Sequence, residues 1–151
     1  MKKTIFILAL VTMLFSLQSK AQRIIEPGNI FLNGGLGTTA GPYAGFDIGI
    51  KKNISVGATA GLNFLYQRGI FILGKGNFHV NEIFDFEDEF DIYGGGSVGV
   101  LNHLFFAAHA GGRYEIDKKW DLHAEVSGGF FFEKTFGPYM YVQVGVSRKL
   151  F

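Results

Sequence analysis

"ISVGATAGLNF", residues 54–64, decides the fold. Ile54, Val56, Ala58, Ala60, Leu62 and Phe64 alternate with Ser55, Gly57, Thr59, Gly61 and Asn63. Successive side chains of a strand point to opposite faces. Strict alternation over about ten residues therefore predicts a strand with one apolar face and one polar or small face. A helix would repeat every ~3.6 residues, and no stretch after Leu17 keeps that period over a useful length.

Working outward, the same alternation returns in "YAGFDIGI" (43–50), "IFILGKGNFHV" (70–80), "FAAHAGGRYEI" (106–116), "LHAEVSGGF" (122–130) and "MYVQVGV" (140–146). "IFLNGGLG" (30–37) and "FDIYGGGSVGV" (90–100) are weaker cases and complete eight segments. In all of them the even-numbered positions are apolar. The odd face carries Asp47, Lys75, His79, Asp91, Arg113, Glu115, His123 and Glu125. Connections that preserve this phase behave as a series of hairpins, with centres expected near Ala40, Lys52, Arg68, Phe86, His103, Lys118 and Lys134. Such centres would set Gly61 opposite Lys75 and Tyr93 opposite Arg113. A slip of one residue would invert every face.

Composition agrees with an all-β chain. Among 151 residues there are 22 Gly and 17 Phe, and aromatics make up 16%; long helices would draw on Ala, Leu, Glu and Lys instead. The absence of Cys excludes a disulfide framework, a thiolate metal site, a thiol nucleophile and a lipid-modified N-terminal Cys. A net charge of +1 gives no footprint for nucleic acid.

"MKK", the uncharged run Thr4–Leu17 and the small residues of "SKA" (19–21) have the order of a secretory signal peptide. The run is shorter than the ~18–20 residues of a membrane-spanning helix, so cleavage is expected rather than anchoring. The domains are then a signal peptide at 1–21 and a single β-strand domain at 22–151, whose surroundings, outer membrane or solvent, depend on which face points inward. Loss of Lys2, Lys3 and Lys20 leaves the mature chain slightly acidic, at about −2.

A soluble barrel or sandwich would turn the apolar face inward; a membrane barrel turns it to lipid. Export, segments close to the ~9–11 residues that cross a bilayer when tilted, and aromatics near strand ends select the second. The expected interfacial girdles comprise Tyr43, Phe64, Tyr66, Phe71, Phe105, Phe106, Tyr114, Trp120, Phe130, Phe132 and Tyr139. The fold class is thus an all-β, eight-stranded, antiparallel, up-and-down transmembrane barrel with a polar interior and short turns. Closure removes sheet edges that lipid would not tolerate.

With the signal peptide, the alternating segments, "FHVNEIFDFEDEFDIYGGGSVGV" (78–100), "GGRYEIDKKWDLHAEVSGG" (111–129) and the final strand ending at Phe151, the chain resembles the small outer-membrane β-barrels of the OmpA-transmembrane-domain and OmpX kind. The resemblance covers the mature chain and is one of pattern. It implies the fold, the bacterial outer membrane, outer-membrane lipids as surroundings, and the insertion machinery as a partner that reads the terminal aromatic. It implies a monomer or weak oligomer and no cofactor or metal.

Function is less legible. Tyr93, Arg113, Glu115, His123 and Glu125 are expected as one interior polar cluster, because a buried Arg needs carboxylates. The simpler reading is a plug of ion pairs; the alternative is a weak channel or small-ligand carrier. Eight strands enclose little more than their own side chains, which argues against a porin. Ala60, Gly74, Gly76, Gly94 and Gly96 make a shallow outward strip, either a wall groove for a lipid chain or second barrel or a device for bending a narrow sheet. The acidic run 85–91 reads as a solvated turn, since it lacks the Gly and Asn of a Ca²⁺ loop.

A lipid A-modifying enzyme would need a nucleophile beside its base. Ser127 and His123 lie roughly 13 Å apart along one strand, leaving Ser97 opposite His109 as the close pair, with no orienting acid. No catalytic residues are assigned. The outer connections, near 38–42, 67–69, 102–104 and 133–135, are short, which counts against an adhesin, and no cell-wall-binding domain is expected. Phe151 falls out of phase with Met140, Val142, Val144 and Val146, so the expectation is a bulge within 147–149 or else a strand that ends before Arg148, with the last residues at the periplasmic rim.

Overall fold

The computed structural model describes residues 25–37, 41–64, 68–80, 89–132 and 138–150. The expected signal peptide at 1–21, Tyr66, Asp85–Asp88 and Phe151 lie outside them. Eight strands follow in order: β1 (Ile30–Gly37), β2 (Gly41–Lys51), β3 (Ile54–Asn63), β4 (Gly69–His79), β5 (Phe90–Leu101), β6 (His103–Glu115), β7 (Trp120–Phe131) and β8 (Pro138–Lys149). Each pairs antiparallel with the next, and β8 closes on β1 from Phe31↔Lys149 to Gly37↔Gln143.

The alternation of the sequence becomes the wall of the barrel. Asp47 is completely buried while its neighbour Phe46 is 41% exposed. Odd positions line the lumen; even positions such as Ile72, Val98, Leu122 and Met140 cover the outside. Following paired residues round the wall from Phe31 leads through Asp47, Gly57, Lys75, Ser97, Ala107 and Gly129 to Tyr139. Phe31's own partner on β8 is Lys149, so the path returns about ten residues away. That stagger tilts the strands and lets residues far apart along the wall meet inside.

The hairpin registers about Lys52, Phe86, Lys118 and Lys134 are as the pattern predicts. The other three are displaced. Gly37 pairs with Gly41, Gly57 rather than Gly61 faces Lys75, and Arg113 faces Asp91 rather than Tyr93. Every displacement moves pairs by an even number of residues, so no face is inverted. Asn102, at φ +57°, turns the chain between β5 and β6; Asn enters the left-handed region at low cost.

Two further expectations are corrected. The β8 register runs unbroken to Lys149 against β1 and to Arg148 against β7, so no bulge interrupts 147–149 and the strand does not end before Arg148. The register shift that does occur is on β2, between Gly49 and Lys51. Four expected girdle aromatics, Tyr43, Phe71, Phe105 and Tyr139, are buried in the lumen instead. Their odd numbers decide this over their residue type. Phe64, Phe106, Trp120, Phe130 and Phe132 are outward and exposed.

Candidate functional site

Arg113 of β6 is at the centre of the lumen, 4% exposed. Its guanidinium lies between the rings of Phe31 and Tyr93, 5.0 and 5.4 Å from their centroids, and its Nη2 donates to Asp47 Oδ2. Asp47 reaches it across the barrel from β2 and also accepts from Asn33 Nδ2 at 2.6 Å and Asn77 Nδ2 at 3.3 Å. Lys75 Nζ stands 3.6 Å from Asp47 Oδ1 and 3.3 Å from Glu125 Oε2. Tyr93 donates its hydroxyl to the same Glu125 oxygen at 3.1 Å, and Ser127 Oγ donates to Glu125 Oε1 at 3.3 Å. Two cations thus face two carboxylates, and Asn33, Asn77, Tyr93 and Ser127 supply the carboxylate oxygens with further donors, while Arg113 Nε and Nη1 are left without an acceptor.

Histidines extend the network. His79 joins Asp91 through Nδ1 at 2.8 Å and Ser55 through Nε2 at 2.9 Å. His109 Nε2 donates to Asn77 Oδ1 at 2.7 Å, and Asn77 Nδ2 donates to Ser55 Oγ at 3.0 Å. His123 joins Ser147 at 2.8 Å on one side and Tyr43 on the other.

The wall makes room for these groups. A Cβ at Gly57 would fall 2.2 Å from Asp47 Oδ1, and one at Gly111 would fall 2.6 Å from the Tyr93 hydroxyl. Large polar side chains fit because strands beside them carry glycine.

This polar half occupies the near end of the barrel, where β1 starts and β8 ends. The far end is apolar. Tyr43, Phe71, Leu73, Leu101, Phe105, Ala107, Tyr139 and Tyr141 form one buried cluster, with Phe131 against it. Phe105 and Tyr139 meet edge to face at 5.4 Å, and Tyr139 stacks on Tyr141 at 5.9 Å.

Of the residues expected in the cluster, Tyr93, Arg113, His123 and Glu125 lie in the lumen. Glu115 is half-buried at the end of β6, opposite Asp121. Arg113's carboxylate is Asp47, which the sequence placed on the polar face but not in the cluster; Lys75 was likewise missed. The shared odd phase was their signal. Asp91, counted within the acidic turn, belongs to the lumen.

The enzyme candidate dissolves as a pair. Ser97 faces Ala107, His109 faces Gly95, and both are buried away from the outer wall. Among the described residues, no group of three or more His, Asp or Glu could hold a metal ion.

Ala60, Gly74, Gly76, Gly94 and Gly96 face outward, with Gly76 directly opposite Gly96. A Cβ at Gly76 would meet nothing within 4 Å.

No protein-family model and no curated protein matches the chain. Solved structures that share its fold include two designed barrels. One comes from the de novo design of transmembrane β-barrels, with TM-score 0.59 and 16% identity over 89% of this chain and 100% of that one. The other, a de novo designed barrel called TMB2.3 solved by NMR in solution, gives TM-score 0.54 and 19% identity over 83% and 97%.

Proposed function

We propose that this chain is a small integral barrel of the bacterial outer membrane, exported by the cleavable segment Met1–Ala21, whose role is structural: it stabilises the membrane it occupies and neither conducts nor catalyses. The observation that carries the reading is the filled lumen. An ion-paired layer at one end and an aromatic layer at the other each block the axis of an eight-stranded barrel, while the outer wall offers only apolar and small side chains along its middle. The resemblance to OmpA- and OmpX-like barrels supports the compartment, with outer-membrane lipids as surroundings and the insertion machinery as the assembly partner.

A planar-bilayer measurement tests this. The protein should give no discrete openings, and openings that Arg113→Ala abolishes or alters would sink the structural reading. One observation favours a second reading, a weak channel or small-ligand barrel. Arg113 Nε and Nη1 have no hydrogen-bond acceptor within reach, so the polar half has donors to spare for a small polar solute. Heat-modifiable gel migration of the membrane fraction tests the compartment; a soluble periplasmic band without a shift would overturn it.

A further inference from the structure

The outer wall carries a groove of about 640 Å³ across β5–β8 and β1. This lies within the ~300–1,000 Å³ typical of small-molecule sites. Gly112 pairs with Ala124, Ala124 with Val144 and Val144 with Leu36. One row nearer the rim, Leu122 pairs with Val146 and Val146 with Gly34. Small residues between larger ones make the depression, and its lining is almost wholly apolar. It is separate from the Gly74–Gly96 strip on β4 and β5.

The groove ends at a cationic rim. On β7 and β8 the next outward pair beyond Leu122 and Val146 is Trp120 and Arg148, about 7 Å further along. The Arg148 guanidinium lies over the Trp120 ring, 5.4 Å from its centroid. Lys118 and Lys119 are exposed in the turn before Trp120. The Lys149 backbone N–H donates to the Lys119 carbonyl at 2.8 Å, which brings the two basic pairs together. Asp117 is the carboxylate of this turn, and its Oδ1 accepts the backbone N–H groups of Lys119 and Trp120 at 2.7 and 3.0 Å. Glu115 and Asp121 are in the lumen-facing phase.

We propose that this groove holds an anionic phospholipid, with an acyl chain over Gly34, Gly112 and Ala124 and the phosphate held by Arg148, Lys118 and Lys119. The proposal rests on the membrane reading above and names a ligand for the wall. The planar guanidinium matches a phosphate, and stacking on Trp120 fixes its orientation. Trp and basic side chains are both at home where an apolar belt meets headgroups. A free anion would use the cations and leave the groove idle. A second copy of the chain could fill the groove, but it would bring no phosphate to Arg148, Lys118 and Lys119.

Trp120 is the chain's single Trp, so its fluorescence reports on this site. The whole mature chain, residues 22–151, is folded into phosphatidylcholine vesicles containing equal fractions of brominated phosphatidylglycerol or brominated phosphatidylcholine. The anionic lipid should quench Trp120 preferentially. Arg148→Gln should lower that preference about fivefold, the weight of one cation at an anionic surface. Ala124→Leu, which fills the groove without changing charge, should lower it too, and heat-modifiable migration verifies that each variant is folded. Equal quenching by the two lipids overturns the proposal, as does a preference that Ala124→Leu leaves intact. Removal of the preference by inorganic phosphate assigns the cations to free phosphate and overturns it as well. Quenching set by protein density rather than lipid type gives the groove to a second copy instead. A chain that neither shifts on gels nor is quenched by either lipid fails the membrane reading itself.

Discussion

At Tyr43 the lumen changes character. Its ring belongs to the aromatic cluster, with Phe71, Phe105 and Tyr139, while its hydroxyl meets His123 and the polar half. Away from the Tyr43 and Tyr141 hydroxyls the aromatic half needs shape: the rings of Phe71, Phe105 and Phe131 fill space, and a side chain of similar volume could replace any one of these three. The ionic half needs each partner by identity, because Asp47, Arg113, Lys75 and Glu125 balance as a set. Two layers of similar depth should therefore respond very differently to substitution.

The largest effect is expected at Asp47. Asp47→Ala removes the carboxylate that Arg113 hydrogen-bonds and one of the two within reach of Lys75, and removal of one partner from a buried pair costs about 3–5 kcal/mol. Urea unfolding from lipid vesicles should show it; a loss below about 1 kcal/mol would mean that the network is hydrated and behaves as a surface. Gly111→Ala comes next. Its Cβ would press on the Tyr93 ring, and overfilling a packed interior costs about 1–3 kcal/mol. In the aromatic half, Phe105→Leu should cost less than about 1.5 kcal/mol in the same measurement. A cost matching Asp47→Ala would erase the distinction between the halves. The smallest effect is expected outside the lumen altogether: Gly76→Ala, with open space around its Cβ, should stay within about 0.5 kcal/mol of the parent.

The contrast also explains what could be read in advance. Period two fixed which residues face inward, because the pleat leaves no third option. It fixed pairing only to within two to four residues, and the three displaced hairpins slipped by even steps. A cue existed at Asn102, a residue tolerant of positive φ, one place before the expected centre. Residue type misled where phase would have served: Tyr43, Phe71, Phe105 and Tyr139 suggested an interfacial belt by chemistry, yet their odd numbers point them into the lumen. The pairing of Asp47 with Arg113 was not legible at all. It joins β2 to β6 across the interior, and who meets whom there depends on the tilt of all eight strands.

The closing seam has a consequence for assembly. Seven of the eight strand pairings join sequence neighbours through a turn; the eighth joins Phe31 to Lys149. Hairpins can form by local encounters, whereas the seam must wait for ends that meet only at the cost of a long chain closure. In the membrane setting proposed above, two unpaired strand edges would face a medium with no hydrogen bonds to offer until β1 finds β8. The slowest step of folding should therefore be the one that also determines whether the chain can be left alone in the membrane.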